Sequence, residues 1–409
     1  MGIQAARATL AAAAKVVLSV SLGVWATASQ ADEFGECVAD LQRQALQAGV
    51  AESVVNDTLA KVEYLPRIIE LDRRQPEFTR SFANYFNRRV TEKRVAQGRE
   101  LLQTHRALLT KLSQLYGVPP QYLLAFWGLE TNFGGYMGKV AILDSLATLA
   151  CDPRRSKFFT AELFEALRLT QLPGIKTPMQ GSWAGAVGHT QFMPSNYRRY
   201  AIDGDSDGQK DLWGSIPDAL ASGANFLDQL GWERGVRWGR EVSLPEKFDY
   251  AVLGLKNKRP LSQWRAMGVR TATGAAIPKV DIEAALLVPA GHRGPAFLVY
   301  DNFGVIMRWN RSEFYALSVG HLADRINGAG KLQRPPPTDQ PPLARATITK
   351  LQERLNAAGF ESGKPDGILG SGTRRAIRDF QQARKLVADG YPRAKVFNAL
   401  EISLDSAEE

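Results

Sequence analysis

Cysteine and histidine are scarce in this chain, with two of the first and four of the second among 409 residues. That is too few for a zinc module, and Cys37 and Cys151 form no CxxC pair. Runs of like charge are missing too, so the excess of 51 Lys and Arg over 42 Asp and Glu, a formal +9, is diffuse. With no clustered basic and aromatic residues, a nucleic-acid partner is not expected. No segment is apolar for the ~18–20 residues that cross a bilayer. What is present is ordinary globular composition, 44% hydrophobic and 23% charged. It excludes wholesale disorder, collagen and coiled coil, and the length suggests two or three domains.

Residues 1–31 read as a secretory signal. Arg7 and Lys15 supply positive charge, Val16 to Trp25 a short apolar core, and Ser29-Gln30-Ala31 small residues at a cleavage point near Ala31. No cysteine stands there to carry lipid, so an exported, periplasmic protein without a membrane anchor is expected. In an oxidising compartment Cys37 and Cys151 either pair or remain two buried thiols; spacing leaves both open.

The mature chain is expected to be mainly α. Helical stripes recur at Leu41, Ala45 and Leu46 and over Thr91–Tyr116, whereas strand-like runs occur only at Ala284–Pro289 and Phe297–Tyr300. A mostly helical domain over 32–330 with a small β element near 280–310 follows. Residues 331–343 contain Arg-Pro-Pro-Pro-Thr-Asp-Gln-Pro-Pro, which forms neither helix nor central strand and serves as a stiff linker. Beyond it, 344–404 carries a weak internal duplication. One stripe, Ile348, Leu351 and Leu355, precedes Asp366-Gly367; a second, Ala376, Ile377 and Phe380, precedes Asp389-Gly390. With Val396, Phe397 and Leu400 starting a third helix, this is a compact three-helix bundle and a candidate targeting module.

The candidate chemistry lies between residues 118 and 220. Val118–Gly135 predicts a helix with a proline start and a Gly-Gly stop, apolar nearly all round and therefore buried. Glu130 is the only acid between Val118 and Asp144. Burial disfavours the charged form of such a carboxyl, which suits a general acid; the alternative is a structural glutamate paired with an arginine or a backbone group. The segment Gly181–Tyr197 mixes glycines with Ser182, Gln191 and aromatics, and reads either as a ligand-facing loop or as a loop before a helix capped at Ser195. His189 carries no catalytic role. In the loop Asp203–Asp211, Asp203, Asp205, Asp207, Gln209 and Asp211 fall at alternate positions of an EF-hand, with Gly208 at the turn. The twelfth position is Gly214 rather than glutamate, and Asp218 could substitute. A structural Ca²⁺ site or a solvated acidic turn results.

The motifs "GLETNFGGYMGK", "LDSLATLA", "GSWAGAVGHTQFMPSNYRRYAIDGDSDGQKDLW" and "YDNFGVIMRWNRSEFYALSVGHLADRI" closely resemble the lytic murein transglycosylase B family, glycoside hydrolase family 103. The tail from Ile348 to Leu386 resembles the small peptidoglycan-binding domain found beside many cell-wall enzymes. The resemblance implies a lysozyme-like helical catalytic domain and glycan strands of peptidoglycan as the partner. It implies cleavage of the β-1,4 bond between N-acetylmuramic acid and N-acetylglucosamine, with the muramic acid C6 hydroxyl as internal acceptor and a 1,6-anhydro end as product. A tethered nucleophile has a high effective concentration, so one carboxyl can suffice where most glycosidases use two. By position Glu130 matches the catalytic glutamate, needing no cofactor. Ser182, Gln191, Tyr85, Tyr300 and Asn302 match substrate-binding positions. Where some members carry tyrosine after the metal loop, this chain has Asn225-Phe226. Partner proteins of wall synthesis or degradation are not identified.

Two rival readings stand beside this one. A non-catalytic peptidoglycan-binding scaffold would leave Glu130 structural. A hydrolytic muramidase would need a second carboxylate, for which Asp144 and Asp152 are nearest in sequence.

Overall fold

A computed structural model describes residues 32–74 and 80–403, so the signal segment 1–31 and its cleavage point lie outside the described residues. The chain divides into two compact units. The first joins the chain up to Arg74 with Met137–Ile216, and the second joins Gln75–Tyr136 with Pro217–Glu409.

The first unit is built on a helical hairpin, Ile142–Cys151 and Ser156–Leu169, whose facing Ile142, Leu146, Leu149, Phe159, Leu163 and Leu167 are all buried. Polar groups fasten the amino-terminal segments to it. Asp144 accepts the Glu63 amide at 3.1 Å and Thr148 Oγ1 accepts that of Leu65 at 3.0 Å. Asp72 is buried between Arg154 and Arg155, and Asp152 pairs with Arg73. Of the two cysteine alternatives the structure holds the pair: Cys37 and Cys151 are disulfide-bonded, with Cα atoms 5.9 Å apart. Strands β1 (Val140–Ala141) and β2 (Gln180–Gly181) form a short antiparallel ribbon. The helix expected to be capped at Ser195 starts two residues earlier, with Met193 at the cap and Pro194 in its first position. Ser195 instead donates its amide and hydroxyl to buried Glu162 at 3.0 and 2.7 Å.

The second unit surrounds the helix Pro120–Thr131, of which every residue from Tyr122 to Leu129 is buried. Glu92–Thr104, Arg106–Tyr116 and Glu313–Ile326 pack around it. The first two, read from sequence as one amphipathic stretch, are separate helices broken at His105 (φ −102°, ψ 21°), whose ring is turned to Trp127 at 6.0 Å. The β element is larger than its two apolar runs suggested. Strands β3 (Gly239–Ser243), β4 (Arg259–Pro260), β5 (Arg270–Thr271), β6 (Glu283–Leu287) and β7 (Ala296–Val299) form an antiparallel sheet in the order β4-β6-β7-β3-β5. Its core includes Val242, Trp264, Leu286, Leu298 and Tyr300.

The carboxy-terminal helices Arg345–Ala357, Ser371–Ala383 and Ala394–Ala399 enclose Leu351, Leu355, Ile377, Phe380, Val396 and Phe397. The duplication is structural. Buried Gln352 accepts the Asp366 and Gly367 amides and donates to Asp366 Oδ1 at 2.9 Å; buried Gln381 accepts the Gly390 amide and donates to Asp389 Oδ1 at 3.2 Å. The proline-rich segment runs along the unit rather than free of it. Glu241 accepts the Gln333 and Arg334 amides, Gln340 donates to the Ala290 carbonyl, and Arg293 pairs with Asp339. Among the described residues, no helix is long and apolar enough to cross a membrane.

The Cys37–Cys151 bond spans a sequence separation of 114, so removing it frees a long loop in the unfolded chain. Reduction, or a Cys37→Ser/Cys151→Ser double variant, is expected to lower unfolding stability by about 2–4 kcal/mol. Denaturant unfolding with and without reductant measures it.

Candidate active site

Glu130 sits at the last turn of the buried helix, half-exposed where its neighbours are enclosed. The helix does not run to the glycines. It ends at Thr131, because Asn132 and Phe133 both adopt left-handed conformations (φ 52° and 58°). Three local bonds hold that end: the Phe133 amide to Trp127 O, the Gly134 amide to Thr131 Oγ1, and Arg94 Nη2 to Asn132 Oδ1 at 3.1 Å. Phe133 folds back under the helix against Gly128, where a Cβ would lie 2.7 Å from its ring. Only glycine leaves room for that return.

The carboxyl is oriented by two aromatic donors. Trp309 Nε1 donates to Glu130 Oε1 at 2.9 Å, and Tyr315 Oη donates to the same oxygen at 2.5 Å. Trp309 comes from the end of the helix Asp301–Trp309 and Tyr315 from the first turn of Glu313–Ile326. The Trp309 ring is held by Phe126 at 4.4 Å and Phe226 at 5.1 Å. Phe226, read from sequence as a lost hydroxyl, thus packs behind a donor to the carboxyl. Burial, and then the adjacent Glu130, push the Tyr315 phenol well above its ordinary range, so it stays a donor across the physiological interval.

The other expected site residues fall into separate groups. Tyr85 lies in Glu130's unit, on the helix Phe82–Arg89; it is buried beside Phe314, with the Arg89 guanidinium 5.4 Å from its ring. Tyr300 is 3% exposed in the sheet core, with Arg240 over its ring. Asn302 corrects its expectation. It is 0% exposed, and its amide bonds the Glu233 amide, Glu233 O and Val236 O at 2.7, 2.8 and 2.7 Å. It braces the 233–236 turn from a fully enclosed position.

Ser182 and Gln191 belong to the first unit. Ser182 Oγ accepts the Ala184 and Ala186 amides, and Gln191, at φ 49°, donates from Nε2 to Met137 O and Gly188 O. Both are half-exposed on the glycine-rich loop, while His189 is buried, which lowers its pKa. In the acidic loop Asp203 accepts the Ser206, Asp207 and Gly208 amides, and Asp205 accepts those of Asp207 and the Ser215 hydroxyl. Carboxylate oxygens of Asp203 and Asp205 lie within 4.8 Å of one another. Asp207 caps the Gln209 amide, and Gln209 is exposed. Asp211 takes the Trp213 and Gly214 amides, and a Cβ at Gly214, the twelfth position, would meet its Oδ2 at 2.5 Å, so a side chain there requires the Asp211 carboxyl to move. Asp218 is buried in the first turn of Ile216–Gln229.

Trp309 and Tyr315, the two donors to Glu130, are the residues that sequence reasoning passed over, although both lie inside the motif "YDNFGVIMRWNRSEFYALS". Their signal was a polar-tipped aromatic beside apolar residues on each of two successive helices, where buried tips require partners.

The fold and the site define a mainly helical, lysozyme-like enzyme that presents one carboxyl at the end of a buried helix. A transglycosylase SLT domain matches residues 33–324 and a peptidoglycan binding domain matches 345–400. The chain belongs to the SLT transglycosylase family and is a lytic transglycosylase. It is 33% identical over 254 residues to membrane-bound lytic murein transglycosylase B of Escherichia coli, covering 60% of this chain and 67% of that protein. It superposes with a TM-score of 0.86 at 42% identity, over 90% of this chain and 99% of the other, on SltB3 of Pseudomonas aeruginosa, solved in complex with NAG-anhNAM-pentapeptide. Slt35 of E. coli, solved in complex with calcium, matches at a TM-score of 0.60 and 30% identity, over 71% of this chain and 92% of that one.

Because the return of Phe133 fills the space beside Gly128, Gly128→Ala is expected to destabilise the second unit by about 1–3 kcal/mol through overpacking. Thermal unfolding of the variant beside the parent gives the value.

Proposed function

We propose that the chain is an exported enzyme that cuts the β-1,4 bond between N-acetylmuramic acid and N-acetylglucosamine with Glu130 as its single acid, then base. Glu130 protonates the glycosidic oxygen as the bond breaks, and then takes the proton from the muramic acid C6 hydroxyl as that oxygen closes on C1. The product is a 1,6-anhydro end, and no water enters. The observation that carries the reading is the convergence of Trp309 and Tyr315 on one carboxylate oxygen at the end of an apolar helix. Fixed donors orient the carboxyl before the substrate arrives, which is where proximity catalysis has its effect. The anhydro sugar in the SltB3 complex is the type of end this reaction leaves. A hydrolytic route would need a second carboxylate, and the two acids nearest in sequence are otherwise engaged: Asp144 with the Glu63 amide, Asp152 with Arg73.

The catalytic domain is assigned to 32–330, the proline-rich linker to 331–343 and the peptidoglycan-binding domain to 344–404, with the protein periplasmic after cleavage near Ala31. Tyr85, Ser182 and Gln191 are assigned to glycan contacts. The 203–211 loop is assigned a structural Ca²⁺ through Asp203 and Asp205. Its donors are hard oxygens, and the backbone amides already curl the carboxylates inward, as such a loop requires.

Mass spectrometry of digested sacculi tests the reaction. The parent should release anhydro-muropeptides, Glu130→Gln none, and Tyr315→Phe about ten- to a hundredfold less, as expected for loss of one bond to a charged group. Reducible muropeptides would mean hydrolysis, and tight sacculus binding without products would mean a scaffold. For the loop, Ca²⁺ should raise the thermal midpoint of the parent but not of Asp203→Asn/Asp205→Asn; an equal shift in both would remove the calcium assignment.

A further inference from the structure

The second unit contains a cavity of about 720 Å³ that the proposed reaction does not use. Arg374, Arg375 and Arg378 line it from the helix Ser371–Ala383 of the peptidoglycan-binding domain; Arg80, Lys256 and Arg311 line it from the catalytic part. Among the described residues, none of these six cations has an ion-pair partner. Two acids share the lining, Glu313 and Asp389. Asp389 is already engaged, with His292 Nδ1 at 2.7 Å and Arg393 at 2.8 Å. Unpaired cations gathered around a concave space repel one another, and an anionic ligand relieves that repulsion.

Two further features shape the ligand. The helix Ser371–Ala383 begins at Gly370 with no side-chain cap, and Gly370, Ser371 and Gly372 line the cavity, so an uncapped helix start borders it. The remaining wall is apolar, with Leu286, Val288 and Phe314 among its residues. Carboxylates beside small alkyl groups fit this combination. In the wall polymer the lactyl carboxyl of muramic acid is tied up as an amide wherever a stem is attached; a denuded sugar offers that single carboxylate, whereas the stem offers several carboxylates together with alanine methyls.

We propose that this cavity, formed jointly by the peptidoglycan-binding domain and the catalytic part, binds the carboxylate-bearing peptide stem, so that the enzyme selects peptide-bearing over denuded strands. The proposal rests on peptidoglycan being the substrate. It assigns Lys256 and Arg311, outside the carboxy-terminal domain, to stem recognition.

The test is calorimetric titration of the full chain with the free pentapeptide stem, L-Ala-γ-D-Glu-diaminopimelate-D-Ala-D-Ala. Saturable binding is expected, weakening with salt and falling about tenfold in Lys256→Ala/Arg375→Ala and about as much when the stem carboxylates are amidated. Both substituted side chains are exposed, so the fold should persist, and Arg311→Ala gives an independent check. Glu130→Gln should bind the stem as the parent does. Absence of saturable binding, an unchanged affinity in the variants, or equal displacement by inorganic phosphate would overturn the proposal. Anhydro products from sacculi without stem binding would sink this inference alone. Stem binding without anhydro products would sink the reaction instead.

Discussion

A helix without a polar face has to be enclosed on every side, and Pro120–Thr131 imposes that requirement on its whole unit. Its burial brings Glu92–Thr104, Arg106–Tyr116 and Glu313–Ile326 around it. The same enclosure determines where a carboxyl can stand. Glu130 occupies the last turn, beyond the enclosed residues and before the left-handed pair Asn132 and Phe133 turns the chain away. One of the enclosing helices then carries Tyr315 in its first turn, and the helix before it ends at Trp309. Packing and site geometry therefore have one cause: what buries the helix also supplies the donors that fix its terminal carboxyl.

Elsewhere the fold relies on buried polar groups whose bonds are complete within the chain. Gln352 and Gln381 each brace an Asp-Gly turn, which makes the two halves of the carboxy-terminal bundle equivalent in bonding as well as in sequence. Asn302 does the same for 233–236, and Glu162 for the start of the Pro194 helix. These residues explain how polar side chains inside apolar motifs can be structural. They look like ligand contacts in a sequence because both roles demand a polar tip in an apolar setting.

That ambiguity marks the limit of what was legible. Glu130 stood out because it was the only acid in a long apolar segment, and β6 and β7 because fully buried strands are continuous apolar runs. Strand β3 escaped notice although it pairs with both β7 and β5, since Gly-Arg-Glu-Val-Ser carries a single aliphatic residue. The helix stop was placed at the glycines because glycine is the usual left-handed residue; here Asn132 and Phe133 take that conformation first, held by Trp127 O and Arg94. Trp309 and Tyr315 could not be linked to Glu130 by any periodicity, standing 179 and 185 residues away. Local pattern reports local structure, and an active site is made of distant contacts.

The proline-rich segment shows how attachment differs from tethering. A free polyproline spacer would leave the carboxy-terminal bundle at an effective concentration set by length alone. Here Glu241, Ala290 and Arg293 hold the segment against the unit, and Asp389 of the bundle meets His292 of the catalytic part. Burial pushes the Asp389 carboxyl up, but Arg393 and the His292 and Tyr391 amides outweigh it and hold it below the usual range. A carboxyl depressed on folding contributes stability above its unfolded pKa, and that contribution disappears only as pH falls through the lowered value. The contact is therefore fully formed at neutral pH. A binding domain held in this way does more than raise the local concentration of polymer. It fixes one face toward the catalytic part, and a face fixed in that way can share the recognition of a single ligand with residues it would otherwise meet only at random.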